Sequence, residues 1–291
     1  MVATPIGNLG DMSSRAIEVL KSADIIACED AKHSLKLLQA FGIVKKKLVS
    51  LHAHNEFLRA VDLIQQILEN GQSLAYISDA GTPGICDPGA DLVREAHRCA
   101  VPVFTICGPS ALSASLSATG FGHTTTLFVG FFPRTANERI NALEKAKAVA
   151  PCTFVFYESP LRILDALRFL KSQLDEDTKI CISREISKIF ESHRVTSLAS
   201  IQSLIVQEPI KGEYVVCVSM NEPENSRAAL AQQQFALTLR EVAARAIQEH
   251  SAGGNLKETA RQLALKSGQF SARDVYQFAL QILKEQRDEN D

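Results

Sequence analysis

The stretch from Ser78 to Gly89, reading SDAGTPGICDPG, constrains the fold more than any other part of the chain. It follows the apolar run at residues 74–77, which is too short for a helix and reads as a buried strand. Three glycines, two prolines and two aspartates then follow within the stretch. Asp87-Pro88 reads as a helix start, with a capping carboxylate and proline at the first helical position, and predicts a helix over 88–100. A loop of bare backbone thus joins the C-terminal end of a strand to a helix N-terminus. In open α/β sheets, ligands bind there. A plain strand-to-helix turn needs neither three glycines nor Asp79 at the strand tip.

The flanking chain alternates in the same way. Segments 1–3, 23–28, 48–51, 74–77 and 101–106 read as strands with helical patterns between them, and Gly42 and Gly71 stop two of the helices. In the helix expected over 56–70, Leu58, Val61, Ile64, Ile67 and Leu68 mark the apolar face. This alternation indicates a mostly parallel sheet covered on both faces. The chain opens nearly inside its first strand, so that strand is short or upstream residues are absent from the sequence. Gly120-Phe121-Gly122 reads as a boundary. A second series follows, with strands at 127–131, 152–157, 179–183 and 214–220 and helices at 135–149, 160–174 and 198–206. The fold class expected is α/β, with a domain over 1–120 and a second over 121–222.

Residues 221–226 read as a polar linker. Helical patterns at 227–250, 255–267 and 271–284 then predict a small helix-turn-helix-like domain over 227–286. Ser271 and Asp274 make a start like a capping box. From Arg240 to Lys284 there are seven Lys/Arg against four Asp/Glu, a mild basic excess.

Composition removes several function classes. The formal net charge is −2, so nucleic-acid binding must rest on local patches. No apolar run reaches the length of a membrane span, and no membrane partner is expected. Seven cysteines without CxxC spacing fit reduced, mostly buried thiols and a cytoplasmic protein. There is no phosphate loop, no G-x-G-x-x-G after a first strand and no Gly-x-Ser-x-Gly. His52 and His54 with Glu56 lack a third ligand at metal spacing, so no metal is expected.

What remains is a set of polar signatures at strand ends. They are Thr4 to Asn8, Glu29-Asp30, Ser78 to Pro83, Gly108 to Ala111, Tyr157 to Pro160 and Arg184-Glu185. Six at alternating intervals indicate one cleft lined by loops of both α/β domains. Such loops suit a ligand with a flat ring, hydroxyls and charge.

With these residues assembled, the chain resembles the tetrapyrrole methylase superfamily. Within it, the chain is similar to the branch that methylates a cytidine ribose 2′-oxygen in small-subunit (16S) ribosomal RNA. The resemblance runs from Val2 to about Met220 and continues into the helical tail. It rests on TPIGNLGD (Thr4 to Asp11), ED-x-x-H (Glu29 to His33), HNE (His54 to Glu56), SDAGTP (Ser78 to Pro83) and DPG (Asp87 to Gly89). GPSA (Gly108 to Ala111), GFFPR (Gly130 to Arg134), FYESP-x-R (Phe156 to Arg162), RE-x-x-K-x-F-E (Arg184 to Glu191) and KGEY (Lys211 to Tyr214) complete it. Ala31-Lys32 stands where family members often have Thr-Arg, which removes the fork geometry of arginine.

The resemblance implies two α/β/α domains with S-adenosylmethionine in the cleft between them, and a cytoplasmic homodimer. It places the cofactor against Pro5, Ser78, Asp79, Ala80, Gly81, Thr82, Gly108, Pro109, Ser110, Ala111, Tyr157 and Glu158. The substrate implied is the small ribosomal subunit or its RNA; the 2′-hydroxyl separates RNA from DNA, so DNA is not expected as a partner. Methyl transfer to a ribose hydroxyl needs a proton acceptor, for which Asp30 and Glu185 are the candidates. Arg184, Lys188 and Lys32 are candidates for countering phosphate charge. Two other readings stay open on residues alone: a C-methyltransferase acting on a tetrapyrrole precursor, and a non-catalytic RNA-binding assembly factor.

Overall fold

The computed structural model describes residues 1–201, 211–221, 239–251, 253–268 and 270–288, and divides into two compact units, Met1–Asn221 and Glu222–Asp291. In the larger unit β1 (Ile25–Cys28), β2 (Lys47–Ser50) and β3 (Leu74–Ile77) form a parallel sheet in the order β2-β1-β3. Helices α1 (Ser14–Ser22) and α2 (Ala31–Ala40) cover one face through Leu20 and Leu38. Helices α3 (Glu56–Asn70) and α4 (Ala90–Arg98) cover the other through Ile64 and Leu92. β1 is therefore buried at every position, as its unbroken apolar sequence requires.

Segments 1–3 and 101–106, expected as strands, make isolated bridges instead of ladders. The Val2 N–H donates to Tyr76 O at 2.9 Å, and the Ala3 N–H to Ile106 O at 3.1 Å. Pro102 has no N–H for a ladder, and pairing is confined to the end nearest the loops.

Two helix details differ from expectation. On α3 the buried stripe is Ala60, Leu63, Ile64 and Ile67, while Leu58 and Leu68 face solvent and Val61 sits at the edge of exposure. Both stripes have helical spacing; the one that faces β3 and α4 is the one that counts. Helix α4 starts at Ala90, later than Asp87-Pro88, with Gly89 at the cap position at φ 128°. Its first N–H groups are satisfied from a distance: Glu56 Oε1 accepts from Gly89 and Asp91, each at 2.7 Å. The carboxylate that opens α3 therefore caps α4. Asp87 is partly buried, and burial raises its carboxyl above the ordinary range.

The second sheet contains β4 (Thr126–Phe131), β5 (Cys152–Glu158), β6 (Lys179–Arg184), β7 (Ser192–Ser197) and β8 (Tyr214–Met220), in the order β4-β5-β8-β6-β7. β4 and β5 are parallel and the other pairs antiparallel. β7 was not expected, because SHRVTS has no apolar face; as an edge strand it needs none. Residues 198–201 turn into a helical start, and the remainder of the helix expected over 198–206 lies outside the described residues. Helices α6 (Ala136–Ala148) and α7 (Ile163–Gln173) pack on one face, where Phe132 and Phe156 stack with ring centres 4.2 Å apart. The other face, with Val155, Cys181, Val215 and Cys217, is covered by α5 (Ala111–Ser117). Ser115 of α5 shares a buried hydrogen bond with Ser183 of β6, 2.8 Å between oxygens. A helix that belongs by chain order to the first series thus packs on the second sheet.

In the smaller unit the described helices are α8 (239–251), α9 (Leu256–Ser267) and α10 (Ala272–Asp288), packed around Ala243, Ala260, Val275 and Ala279. Asn255 caps α9, its Oδ1 accepting from Lys257 and Glu258. Ser271 Oγ accepts the Asp274 N–H at 3.1 Å and donates to the Asp274 carboxylate at 2.7 Å. Residues 222–226 of the polar linker expected at 221–226, and the first half of the helix expected over 227–250, lie outside the described residues.

Replacing Glu56 by Ala removes the acceptor for two N–H groups of α4. The expected loss is about 1–2 kcal/mol. It is read as a lower urea midpoint, monitored by circular dichroism.

Candidate active site

Residues 4–11 tie two loop systems together. Thr4 is fully buried and exchanges two backbone hydrogen bonds with Gly81: Thr4 N–H to Gly81 O at 2.9 Å and Gly81 N–H to Thr4 O at 3.1 Å. Thr4 Oγ1 donates to Ser78 O, and Thr82 Oγ1 to Pro109 O at 3.1 Å. Gly81 has φ 79°, and a Cβ there would stand 3.3 Å from Ile6 Cγ2. Only glycine allows both the conformation and the approach. Pro5 is buried in the same segment. The expected residues Pro5, Ser78 to Thr82 and Gly108 to Ala111 therefore meet, joined by named bonds.

Asp79 and Asp30 are also joined, the Asp30 N–H donating to Asp79 Oδ1 at 3.2 Å. Asp30 caps α2: its Oδ1 accepts from Lys32 at 2.7 Å and His33 at 3.1 Å, and these bonds lower its carboxyl. Next to it, burial and then Asp79 raise the Glu29 carboxyl, and Asp79 also adds to the effect of burial on Asp87. This wall therefore carries carboxylates that disfavour one another's charge. Lys32 points to solvent at the start of α2.

Tyr157 packs edge-on against Phe128 and Phe131, with ring centres 4.9 and 5.8 Å away. Burial pushes its hydroxyl up to about 12, opposed by a hydrogen bond from the Leu112 backbone, which puts Tyr157 beside the first turn of α5. Glu158 differs from the others. Its buried carboxylate accepts from the Ser159 N–H at 2.8 Å and lies 3.3 Å from Arg162 Nη2. Arg162 in turn holds the carbonyls of Phe132 and Pro133.

The second loop system is the turn after β6. Glu185 and Ser187 have φ 50° and 67°, in the left-handed region. Such strain persists where surrounding bonds enforce it. Glu185 Oε1 accepts from Lys188 Nζ and from the Glu213 N–H, both at 2.9 Å, and Lys188 Nζ also donates to Glu213 at 2.8 Å. The Ser187 hydroxyl bonds the Asp11 carboxylate, and its N–H donates to Glu191 at 2.8 Å. Glu191 continues to His193, and His193 to Ser183. Arg184 Nε donates to the Lys211 carbonyl at 2.7 Å. A Cβ on Gly7 would come within 2.4 Å of Lys188 Cγ, so residues 4–11 lie directly against this turn.

Between the two systems lies a cleft of about 1320 Å³, lined by Ile6 to Leu9, Asp11, Gly108 to Ser110, the exposed side of α5 and the turn Ile186 to Glu191. It exceeds the size usual for a single small-ligand pocket. Asn8 lies in the expected cleft signature Thr4 to Asn8, whereas Asp11, Ser113, Ser117 and Phe190 were not singled out from sequence as site residues. Asn8, Asp11 and Phe190 fall inside the quoted motifs TPIGNLGD and RE-x-x-K-x-F-E; Ser113 and Ser117 had no signal beyond their helical spacing. Among the described residues no group of three His, Cys, Asp or Glu side chains could hold a metal ion, and no helix is long and apolar enough to cross a membrane.

Two α/β layers with loop-lined walls meeting at a cleft define an α/β protein with a site suited to a ligand. Residues 1–202 match the Tetrapyrrole (Corrin/Porphyrin) Methylases, and the chain belongs to that family. It is a methyltransferase that uses S-adenosylmethionine. A Mesorhizobium japonicum protein named Ribosomal RNA small subunit methyltransferase I is 42% identical over 230 residues, covering 79% of this chain and 77% of its own. A Synechocystis protein of the same name is 34% identical over 282 residues, 97% of each chain. The crystal structure of a diphthine synthase superposes with a TM-score of 0.55 over 74% of this chain and 88% of its own; at 16% identity it speaks for the fold alone.

The network around Glu185 gives a pH signature. Burial alone raises this carboxyl, but Lys188, the Glu213 N–H and Arg184 outweigh it and hold it below its ordinary value of 4.5. A depressed folded-state pKa contributes stability that is present above the unfolded value and lost as pH falls through the folded one. Glu185→Gln is therefore expected to melt at a lower temperature than wild type at neutral pH. The gap should close progressively below about 4.5 in thermal melts run across acid pH.

Proposed function

We propose that the protein transfers the methyl group of S-adenosylmethionine to the 2′-oxygen of a cytidine ribose in small-subunit ribosomal RNA. The observation that carries this reading is the similarity to Ribosomal RNA small subunit methyltransferase I at 34–42% identity, over as much as 97% of the chain. A cytoplasmic homodimer acting on the small subunit or its RNA belongs to the same proposal, and family membership supports it.

The cofactor residues would be Pro5, Ser78 to Thr82, Gly108 to Ala111, Tyr157 and Glu158. Their fit is supported by the bare backbone at Gly81, which a Cβ would crowd, and by the carboxylates Glu29, Asp79 and Asp87, whose mutual repulsion a cationic ligand relieves. When bound, the cofactor supplies an electrophilic methyl group on a sulfonium centre. The chain then has to align the acceptor oxygen and take its proton. Asp30 and Glu185 remain the candidates for that proton. In each, one carboxylate oxygen holds two N–H groups and the other makes no hydrogen bond among the described residues. Glu185 adjoins the residues that line the cleft, which favours it on position; hydrogen bonds hold both carboxyls below their ordinary values, so pKa does not separate the two. Lys32 is the candidate cation exposed for phosphate; Lys188 would have to leave Glu185 and Glu213 to act so, whereas Arg184 uses only its Nε on the Lys211 carbonyl.

Small ribosomal subunits lacking the modification are expected to accept label from methyl-labelled S-adenosylmethionine, with the label mapping to a cytidine ribose. Label appearing on a tetrapyrrole precursor instead would reverse the assignment. Asp79→Ala is expected to weaken cofactor binding about tenfold by calorimetry, the scale of one lost charge-assisted contact. Unchanged affinity removes Asp79 from the site.

A further inference from the structure

The turn Ile186 to Glu191 carries a feature that methyl-donor binding does not explain. Ile189 is 94% exposed and Phe190 70% exposed, and both line the cleft. A single apolar side chain in water needs no explanation, but adjoining ones that line a cleft mark a binding surface. This turn is not loose. Ser187 and the preceding Glu185 are in the left-handed region, and the turn is tied through Glu185, Ser187, Lys188 and Glu191 to Asp11, Glu213 and His193. The phenylalanine is thus held out on a braced arm at the edge of the cleft.

The surroundings of Phe190 state what it can hold. Asn8, Ser110, Ser113 and Ser117 supply amide and hydroxyl groups to the same cavity. The turn's own cation, Lys188, lies between two carboxylates, so this wall has little free positive charge for phosphate. A flat apolar ring beside neutral hydrogen-bonding groups suits an unstacked nucleobase, whose face stacks on aromatics while its edge is read by polar groups. The cavity also includes Gly108, Pro109 and Ser110 of the methyl-donor wall, so a base lodged here keeps its ribose in the same space as the donor.

We propose that Phe190 is the stacking platform for the base of the nucleotide that is methylated, with Ile189 as its apolar flank. The proposal rests on the RNA methyltransferase reading and adds a residue that selects a base lifted out of its helix.

The chain contains no tryptophan, so Phe190→Trp introduces a single fluorescent reporter. Its emission is expected to be quenched on titration with a short single-stranded RNA containing cytidine, in the presence of S-adenosylmethionine. Phe190→Ala is expected to lower kcat/KM for small subunits about 5- to 150-fold, the range spanned by one lost base stack, with unchanged S-adenosylmethionine affinity. Phe190→Trp should retain activity within a few-fold. An unquenched Phe190→Trp, or a Phe190→Ala within twofold of an active wild type, overturns the proposal. Emission that follows protein concentration instead of RNA also overturns it and assigns the ring to contact between two copies. Wild type inactive on every ribosomal particle, with Phe190→Trp still quenched by RNA, sinks the reaction but supports the stacking site.

Discussion

Two backbone hydrogen bonds between Thr4 and Gly81 hold the site in register. Thr4 is fully buried, so leaving either pair unmade would cost the desolvation of buried amide groups, about 1–3 kcal/mol for each. Everything on the cleft side follows from that anchor. Ile6 covers Gly81, Gly7 lies against the stem of Lys188, and Asp11 reaches the Ser187 hydroxyl. One segment of eight residues, Thr4 to Asp11, thereby spaces the loops around Gly81 and Gly108 from the turn after β6.

The two walls are electrostatic opposites in design. At the loops around Gly81, burial and the nearby Asp79 carboxylate disfavour the charge of Glu29 and Asp87. At the turn, charge is cancelled locally: Lys188 by Glu185 and Glu213, and His193 placed against Glu191. The first arrangement gains from a cation. The second gains nothing from one, and its binding capacity lies in shape and apolar surface.

The parallel sheet, four strands of the second layer and the helical unit were legible because apolar runs of strand length are punctuated by glycine and proline, whereas the antiparallel pairing in the second sheet was not. That the loops around Gly81 and Gly108 come together was legible for a related reason: bare backbone beside Asp79 at a strand tip has few structural uses. Other features turned on tertiary context. On α3 the stripes through Leu58 and through Leu63 have equal helical claims, and the position of β3 and α4 chose between them. The cap of α4 comes from Glu56, far away in sequence, whereas Asp87 was the local candidate. β7 carries no apolar alternation because only its backbone is needed at the sheet edge. The braced turn could not be foreseen either, since positive φ at Glu185 and Ser187 is imposed by partners and not by residue type.

Helix α5 has a consequence for how such chains can be recombined. It precedes Gly120-Phe121-Gly122, the apparent seam in the sequence, yet it lies on the second sheet through Ser115 and Ser183 and forms one side of the cleft. A chimera joined at Gly120 would therefore inherit α5 from one parent and the surface it rests on from the other. The unit that can be exchanged intact begins before α5. The two α/β layers are coupled by a shared building block, and the cleft geometry would be inherited with that block.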